Sequence, residues 1–304
     1  MLFTIAIPTY NNEATIGRTI QSCLNQRYTD DYEILILNNS STDKTTERIE
    51  SFKDSRINHI QNSSTVTMYE NHNLCLKSAK GDYTIFCHSD DELNENALGF
   101  LSKELEKLSY PSKMIVWGRS YFRDYHKNLK RVGGKLNNVL PGNKAKLLAL
   151  YWGLTPSGTC YSTNSINELQ GFFEVKERLA PSDIASFIYF AQNKFDFLML
   201  DKYLFNRVDA STAIDSVTPE ETLRAVNEAF QELFMRSTEE QKKSLIEDSL
   251  KLKDIPTLFY HVLYLNGEKK NMIKQKCIKT IILRPYMILN KHFRFLLNRV
   301  FLSR

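Results

Sequence analysis

Ile85-Phe86-Cys87-His88-Ser89-Asp90-Asp91-Glu92-Leu93 begins as an apolar run and ends in adjacent carboxylates. Bounded by Lys80-Gly81 before it and polar residues after it, the run predicts a buried strand over residues 82–87. Two neighbouring carboxylates at the exit of a buried strand repel each other in a partly desolvated place. A hard divalent cation relieves that repulsion, and the exit edge of an α/β sheet is where ligands gather. The same acids would also serve as a helix cap or a turn, and the stretch alone leaves both readings open.

Outward from this stretch the chain alternates. Residues 3–7 and 33–37 predict buried strands, which run into the polar turns Pro8-Thr9-Tyr10-Asn11-Asn12 and Asn38-Asn39-Ser40-Ser41-Thr42-Asp43. Asn11 or Asn12 is expected to cap a helix whose core face is Ile16, Ile20 and Leu24. Asp43 is expected to start a second helix, reaching about Phe52. A short strand at 57–61 and a helix carrying Leu74, Leu76 and Ala79 precede the 82–87 strand, and Leu98, Leu101, Leu105 and Leu108 mark the helix after the acids. Strands alternating with helices imply βαβ units and an α/β fold with a mainly parallel sheet. In such a sheet the turns at 8–12, 38–43 and 88–91 share one edge and converge on a crevice. No GxGxxG follows the first strand and no GxxxxGK[ST] occurs, which argues against dinucleotide and Walker-type phosphate binding.

Past Ser109 the pattern loosens. Strands are expected at 114–117, 120–123, 159–162, 197–200 and 203–205, and helices at 143–151 and 184–191. From Thr218 the chain turns helical, with Thr218-Pro219-Glu220-Glu221 reading as a capping box and a boundary expected near 216.

Four elements in order resemble glycosyltransferase family 2, and the likeness covers roughly residues 1–210. They are Ile7-Pro8-Thr9-Tyr10-Asn11, the turn Leu37-Asn38-Asn39-Ser40-Ser41-Thr42-Asp43, Asn73 with Ala79-Lys80-Gly81-Asp82-Tyr83 after it, and His88-Ser89-Asp90-Asp91. The second matches the family's V-D-D-G-S-T-D turn and the last its D-S-D-D motif. The resemblance implies the GT-A fold, a Rossmann-like sheet flanked by helices. It divides the chain into a nucleotide-sugar-binding half (1–108), an acceptor-binding half (109–216) and a helical C-terminal region (217–304).

The activity so implied is inverting transfer of a hexosyl or N-acetylhexosaminyl group from a nucleotide-diphosphate donor, a UDP-sugar first of all. The acceptor is a hydroxyl of a saccharide or lipid-linked saccharide, as in assembly of a bacterial-type capsule or lipopolysaccharide. By resemblance, Asp90 and Asp91 hold Mn²⁺ or Mg²⁺, with His88 as a further ligand, and Ser89 and Asp90 meet the donor. Pro8, Thr9 and Tyr10 wall the base and ribose pocket, Asn39 meets the base, and Asn73 and Arg207 also contact the donor. A departing diphosphate builds negative charge that a divalent cation stabilises. The acceptor hydroxyl needs a base, and Gly171-Phe172-Phe173 followed by Pro181-Ser182-Asp183 puts Asp183 in that role by likeness, with Glu174 and Glu177 as alternatives. Asp183 also suits a helix N-cap, a compatible role.

Three positions depart from the family pattern. His88 replaces the first acid, which leaves one negative charge fewer for a metal. Asn39 replaces the acid that reads the base, although an amide, with donor and acceptor, matches a uracil imide edge. In Asn206-Arg207-Val208-Asp209, Asp209 stands where the family often has His. The His88 and Asp209 departures sustain a rival reading, a catalytically silent module that binds saccharide or membrane. A nucleotidyltransferase is the other alternative, but it would need a Gly-rich, basic turn after the first strand. Sugar and linkage are expected to depend on residues between about 110 and 160, such as Trp117, Arg119, Trp152 and Ser157.

Composition sets the outer limits. Hydrophobic residues at 42% and aromatics at 12% exclude a disordered chain. Five scattered cysteines without a CxxC pair argue against a disulfide or metal framework and suit a reducing cytoplasm. The first residues show no signal peptide, and no apolar run approaches the roughly 20 residues that span a bilayer. Residues 269–304 carry ten Lys or Arg and no acid. Leu289, Phe293, Leu296, Leu297 and Val300 fall on one side of a helical wheel there, with Lys291 and Arg294 roughly opposite. This tail predicts contact with an anionic membrane surface, hence a peripheral protein at the inner face of the cell membrane. Packing on the body or on a second copy is the alternative, and no nucleic-acid recognition module accompanies the charge.

Overall fold

Strands β1 (Phe3–Thr9) and β2 (Tyr32–Asn38) are buried along their whole length. Phe3, Ile5 and Ile7 join Ile34 and Ile36 in one apolar cluster, and Ala6 joins Leu35 and Leu37 in another. A strand covered on both faces has no solvent side, so it reads as a continuous apolar run.

The structure, a computed structural model, describes residues 1–119, 125–151, 155–175, 182–207, 219–252, 257–267, 269–283, 287 and 289–302. In the N-terminal two thirds of the chain, α1 (Ile16–Leu24) follows β1, and α2 (Thr45–Glu50) follows β2. Then come β3 (Ile57–Gln61), α3 (Met68–Ser78), β4 (Tyr83–Phe86), β5 (Asp91–Leu93) and α4 (Ala97–Lys107). Next are β6 (Met114–Arg119), α5 (Tyr125–Arg131), β7 (Val139–Leu140), α6 (Gly142–Ala149), β8 (Thr159–Ser162) and α7 (Thr163–Glu168). This part closes with α8 (Ser182–Gln192), β9 (Asp196–Tyr203) and β10 (Phe205–Arg207). Helices α9 (Pro219–Arg236), α10 (Glu239–Lys251), α11 (Thr257–Leu265), α12 (Lys270–Leu283) and α13 (Lys291–Leu297) follow, and a π turn, Asn298–Leu302, continues the last.

Among the described residues, eight strands form one sheet in the order β3-β2-β1-β4-β8-β6-β9-β7. The first four are parallel, β8 runs antiparallel between β4 and β6, and β9 is parallel to β6. Successive βαβ units step from β1 outward through β2 to β3, and then return to β4 on the other side of β1. The exits of β1 and β4 therefore flank a switch point, where open α/β sheets hold ligands. Strands β5 and β10 form a separate antiparallel ladder that sets Arg207 opposite Asp91.

The expected α/β architecture is present, with local corrections. The acids lead into β5 rather than directly into a helix. Neither Asn11 nor Asn12 caps α1: the N-cap residue is Thr15, and the Asn12 side chain is drawn to Ser89 instead. Asp43 lies one residue before Lys44, the N-cap residue of α2, and its Oδ1 accepts from Thr45 N at 3.0 Å. All five cysteines are buried and free. The expected strand at 120–123, the boundary near 216, and residues Trp152, Glu177, Pro181, Asp209 and Thr218 lie outside the described residues.

The largest correction concerns the C-terminal stripe. Phe293 and Leu296 are fully buried and Val300 nearly so, in one cluster with Phe230, Phe259 and Leu263 of α9 and α11 and with α6 and α8. An apolar helical face buries first against the nearest apolar surface, and α9 and α11 offer one. Buried Lys146 adds a polar tie from α6 to α10, its Nζ 2.9 Å from Asp248. Phe293→Ala is expected to lower unfolding free energy by about 3–5 kcal/mol in urea titrations. An unchanged midpoint would remove residues 291–302 from the core.

Candidate functional site

Three strand-exit turns are stitched into one edge. Asn39 N donates to Thr9 O at 2.8 Å, Asn11 N to Ser41 Oγ at 3.0 Å, and Thr42 N to Asn11 Oδ1 at 2.8 Å. Ser89 Oγ donates to Asn12 Oδ1 at 2.7 Å, which joins the third turn to the first. From α1, Thr15 donates to Ser89 O at 2.7 Å, and the Thr19 hydroxyl lies 2.7 Å from Asp91 O. Asn11 and Ser40 adopt left-handed backbone, φ 52° and 58°, a local strain that is tolerable for Asn and unusual for Ser.

His88, Asp90 and Asp91 form the chemical centre, with one potential ligand atom each, all within 4.8 Å of one another. Asp91 is buried, and its Oδ2 accepts from Ser157 Oγ at 2.6 Å. Ser157 Oγ in turn accepts from His88 N at 3.1 Å. Asp91 Oδ1 is buried without a hydrogen-bond partner among the described residues. Burial pushes the Asp91 carboxyl above the usual range and Asp90 adds to this, while His88, Ser157 and Arg207 pull the other way. A desolvated carboxylate oxygen without a partner, next to a second carboxylate and an imidazole, fits a divalent cation. Two carboxylates and one imidazole suit Mn²⁺ better than Mg²⁺, which favours oxygen and water alone.

The His88 ring meets a second histidine. His72 Nε2 lies 3.0 Å from His88 Nε2, and His72 Nδ1 lies 2.8 Å from Met68 O. Phe86, Tyr69 and Phe172 surround the His72 ring. Burial above all, with His88 adding to it, pushes the His72 imidazole down to about 3.

Other expected site residues fall in different places. Pro8 and Thr9 are buried at the β1 exit, Tyr10 is half-buried there, and Ser89 is buried. Arg207 is half-buried beside Asp91 across the small ladder. Asn39, expected to face a base, has its amide turned onto residues 62–66: Oδ1 accepts from Val66 N and Asn62 Nδ2, and Nδ2 donates to Val66 O. Three of the four hydrogen-bonding positions of the amide are thereby used. Asn73, expected at the donor, is buried and holds the 171–174 segment: Nδ2 donates to Phe172 O and Glu174 Oε1, and Oδ1 accepts from Phe172 N. Gly171 makes that grip possible, since at φ 72° a Cβ would lie 2.2 Å from Asn73 Oδ1. Asp183 is the second residue of α8, half-buried, with Oδ1 accepting from Ile184 N at 3.0 Å. No sequence signal marked His72, a lone histidine inside a helix. Ser157 was expected to bear on sugar and linkage, and the structure places it on Asp91 instead.

Residues 4–165 match glycosyl transferase family 2. WfaP of Escherichia coli, a UDP-Glc:alpha-D-GlcNAc-diphosphoundecaprenol beta-1,3-glucosyltransferase, is 38% identical over 118 residues, which are 38% of this chain and 47% of that protein. The chain thus spans about half the length of this curated relative. The structure of S. aureus TarS 1-349 in complex with UDP-GlcNAc aligns with a TM-score of 0.64 at 17% identity, over 99% of this chain and 80% of that one. Mannosyltransferase PcManGT from Pyrobaculum calidifontis, in complex with GDP-Man and Mn²⁺, aligns with a TM-score of 0.61 at 15% identity, over 96% of this chain and 82% of that one. At those identities the structural likeness is one of fold.

Ser157 reaches Asp91 through the turn that Gly158 permits. Gly158 has φ 72°, and a Cβ there would lie 2.0 Å from the Phe205 ring. Gly158→Ala is expected to cost about 2 kcal/mol or more, from left-handed strain and displacement of β10, read as a fall in melting temperature. An unchanged melt would show that the turn relaxes freely.

Proposed function

The chain belongs to glycosyl transferase family 2, and on that premise we propose that it transfers a sugar from a nucleotide-diphosphate donor to a saccharide hydroxyl. The observation that carries the reading is the buried, half-satisfied Asp91 carboxylate where three strand-exit turns meet. A UDP-sugar is the donor of choice, since WfaP is named for UDP-Glc and TarS was captured with UDP-GlcNAc. In this reading Pro8, Thr9 and Tyr10 wall the nucleoside, and Asn39 shapes that wall through Val66. His88, Asp90 and Asp91 hold Mn²⁺ or Mg²⁺ beside the diphosphate, and Arg207 adds positive charge. The cation, when bound, offsets charge building on the leaving oxygen. Asp183 takes the proton of the acceptor hydroxyl as its oxygen bonds to the anomeric carbon. The bond to the diphosphate breaks on the opposite side, which inverts the centre.

Purified protein with radiolabelled UDP-sugars and Mn²⁺ is expected to hydrolyse one donor slowly and to transfer it once an acceptor is supplied. Asp183→Asn should lower transfer roughly 10²–10⁴-fold and leave UDP affinity by calorimetry unchanged. Equal loss of both would overturn the assignment of Asp183. No turnover together with no metal-dependent UDP binding would favour the silent module.

The acceptor in this reading is lipid-linked and belongs to a surface polysaccharide, which places the protein at the inner face of the cell membrane. With Phe293, Leu296 and Val300 of the C-terminal stripe buried, the surface taken here for lipid contact is the outer side of α12. Ile278, Ile282 and Leu283 are 47%, 72% and 65% exposed there, with Lys270 and Lys279 also exposed. Among the described residues no helix is long and apolar enough to cross a membrane. Exposed apolar and cationic side chains along one helix suit anionic phospholipid. Co-sedimentation with phosphatidylglycerol vesicles is expected, and Ile282→Asp with Lys279→Glu should reduce the bound fraction several-fold without a change in melting temperature. Equal binding by the double variant would reject this face.

A further inference from the structure

His72 decides how His88 can act. The Met68 carbonyl only accepts hydrogen bonds, so the His72 Nδ1 that faces it at 2.8 Å carries a proton. The ring is 3% exposed among Tyr69, Phe86 and Phe172, apolar surroundings that disfavour an imidazolium. Its Nε2 is therefore a bare lone pair. The 3.0 Å contact between the two Nε2 atoms needs one proton, and His88 has to supply it. With the Nε2 proton of His88 directed at His72, the lone pair of His88 lies on Nδ1.

We propose that His72 is a positioning residue that fixes His88 as the Nε2–H tautomer and leaves Nδ1 to join Asp90 and Asp91 as a one-nitrogen, two-carboxylate set selective for Mn²⁺ over Mg²⁺. This rests on the divalent-cation part of the function proposed above. A ligating imidazole as a rule gives its other N–H to an acceptor that orients the ring and raises its basicity. Here that acceptor is a second imidazole, itself anchored by a helix carbonyl one turn back in α3. The replacement of an acid by His88 removes one negative charge from the site and puts a nitrogen donor in its place. Mg²⁺, which dehydrates reluctantly and prefers oxygen, is weakened by that exchange more than a transition ion.

The test uses the full chain with UDP and Mn²⁺. Pulsed EPR of the wild type is expected to show ¹⁴N modulation from a directly bound imidazole, absent in His88→Ala. His72→Phe keeps a ring in the aromatic nest but cannot accept a proton. It should weaken Mn²⁺ binding about 10-fold or more and narrow the Mn²⁺/Mg²⁺ preference. His72→Gln, whose amide oxygen can accept, should recover most of both. Long-range ¹⁵N–¹H spectra of the wild type read the tautomers without any variant, with Nδ1–H expected on His72 and Nε2–H on His88. No Mn²⁺ binding by the wild type would overturn both this inference and the cation reading. Bound Mn²⁺ without ¹⁴N modulation, or the opposite tautomers, would overturn this inference and leave the cation reading standing. A folded His72→Phe with unchanged Mn²⁺ affinity would overturn the role of His72.

Discussion

A carboxylate taken out of water is costly unless both of its oxygens find partners. Asp91 meets that constraint by half, with Ser157 on Oδ2 and no hydrogen-bond partner for Oδ1 among the described residues. Much of the surrounding chain serves to hold it so. Strand β4 delivers it to the sheet edge, α1 fixes its backbone through Thr19, and the turn at Gly158 presents Ser157. The β5–β10 ladder returns the chain from the far side of the fold to set Arg207 opposite it. A segment more than a hundred residues away in sequence thus shares in the electrostatics of the acidic pair.

Helix α3 links the parts of this edge. Val66, just before its N-cap Thr67, is clasped by the Asn39 amide at the β2 exit. One turn further, His72 supports His88, and the next residue, Asn73, grips the segment that precedes α8 and Asp183. Adjacent residues of one helix therefore constrain opposite sides of the crevice. A small shift of α3 would move the acidic pair and the 171–174 segment together. This coupling is geometric: Asn39, His72 and Asn73 are buried and hydrogen-bonded, so none of the three adjusts alone.

The sheet was legible in the sequence because buried parallel strands announce themselves as apolar runs ending in polar turns, as at 33–37 and 82–87. Convergence of the three turns followed from topology, without any knowledge of side-chain direction. Direction was what the sequence withheld. Asn39 and Asn73 sit where a donor contact was expected, but an amide pairs as readily with peptide groups as with a ligand. The deciding factor is where residues 62–66 and 171–174 lie, which no local pattern encodes. In the apolar stripe of 289–300, Phe293, Leu296 and Val300 pack on the body, the alternative partner, while Leu289 stays exposed, since periodicity reports a face and not what covers it. His72 left no trace because its meaning comes from a contact across sixteen residues with His88.

Two of the three substituted positions, His88 and Asp209, invite the reading of a decayed site. Asp209 lies outside the described residues; at His88 the energetics favour a working site. An isosteric Asn at position 91 could still accept from Ser157 and would carry no charge to desolvate, so a mere scaffold has a less costly solution than Asp91. The fold instead keeps a buried anion with its carboxyl pushed upward, a second acid next to it, and an imidazole with a nitrogen within 4.8 Å of both. Such arrangements destabilise a protein by themselves and become favourable when a cation enters. His88 also has its own buried partner in His72, and two rings in hydrogen-bond contact inside an aromatic nest define a donor direction that an idle surface residue would not need. Under the proposal of a divalent cation here, the histidine that departs from the family pattern is a changed ligand rather than a lost one.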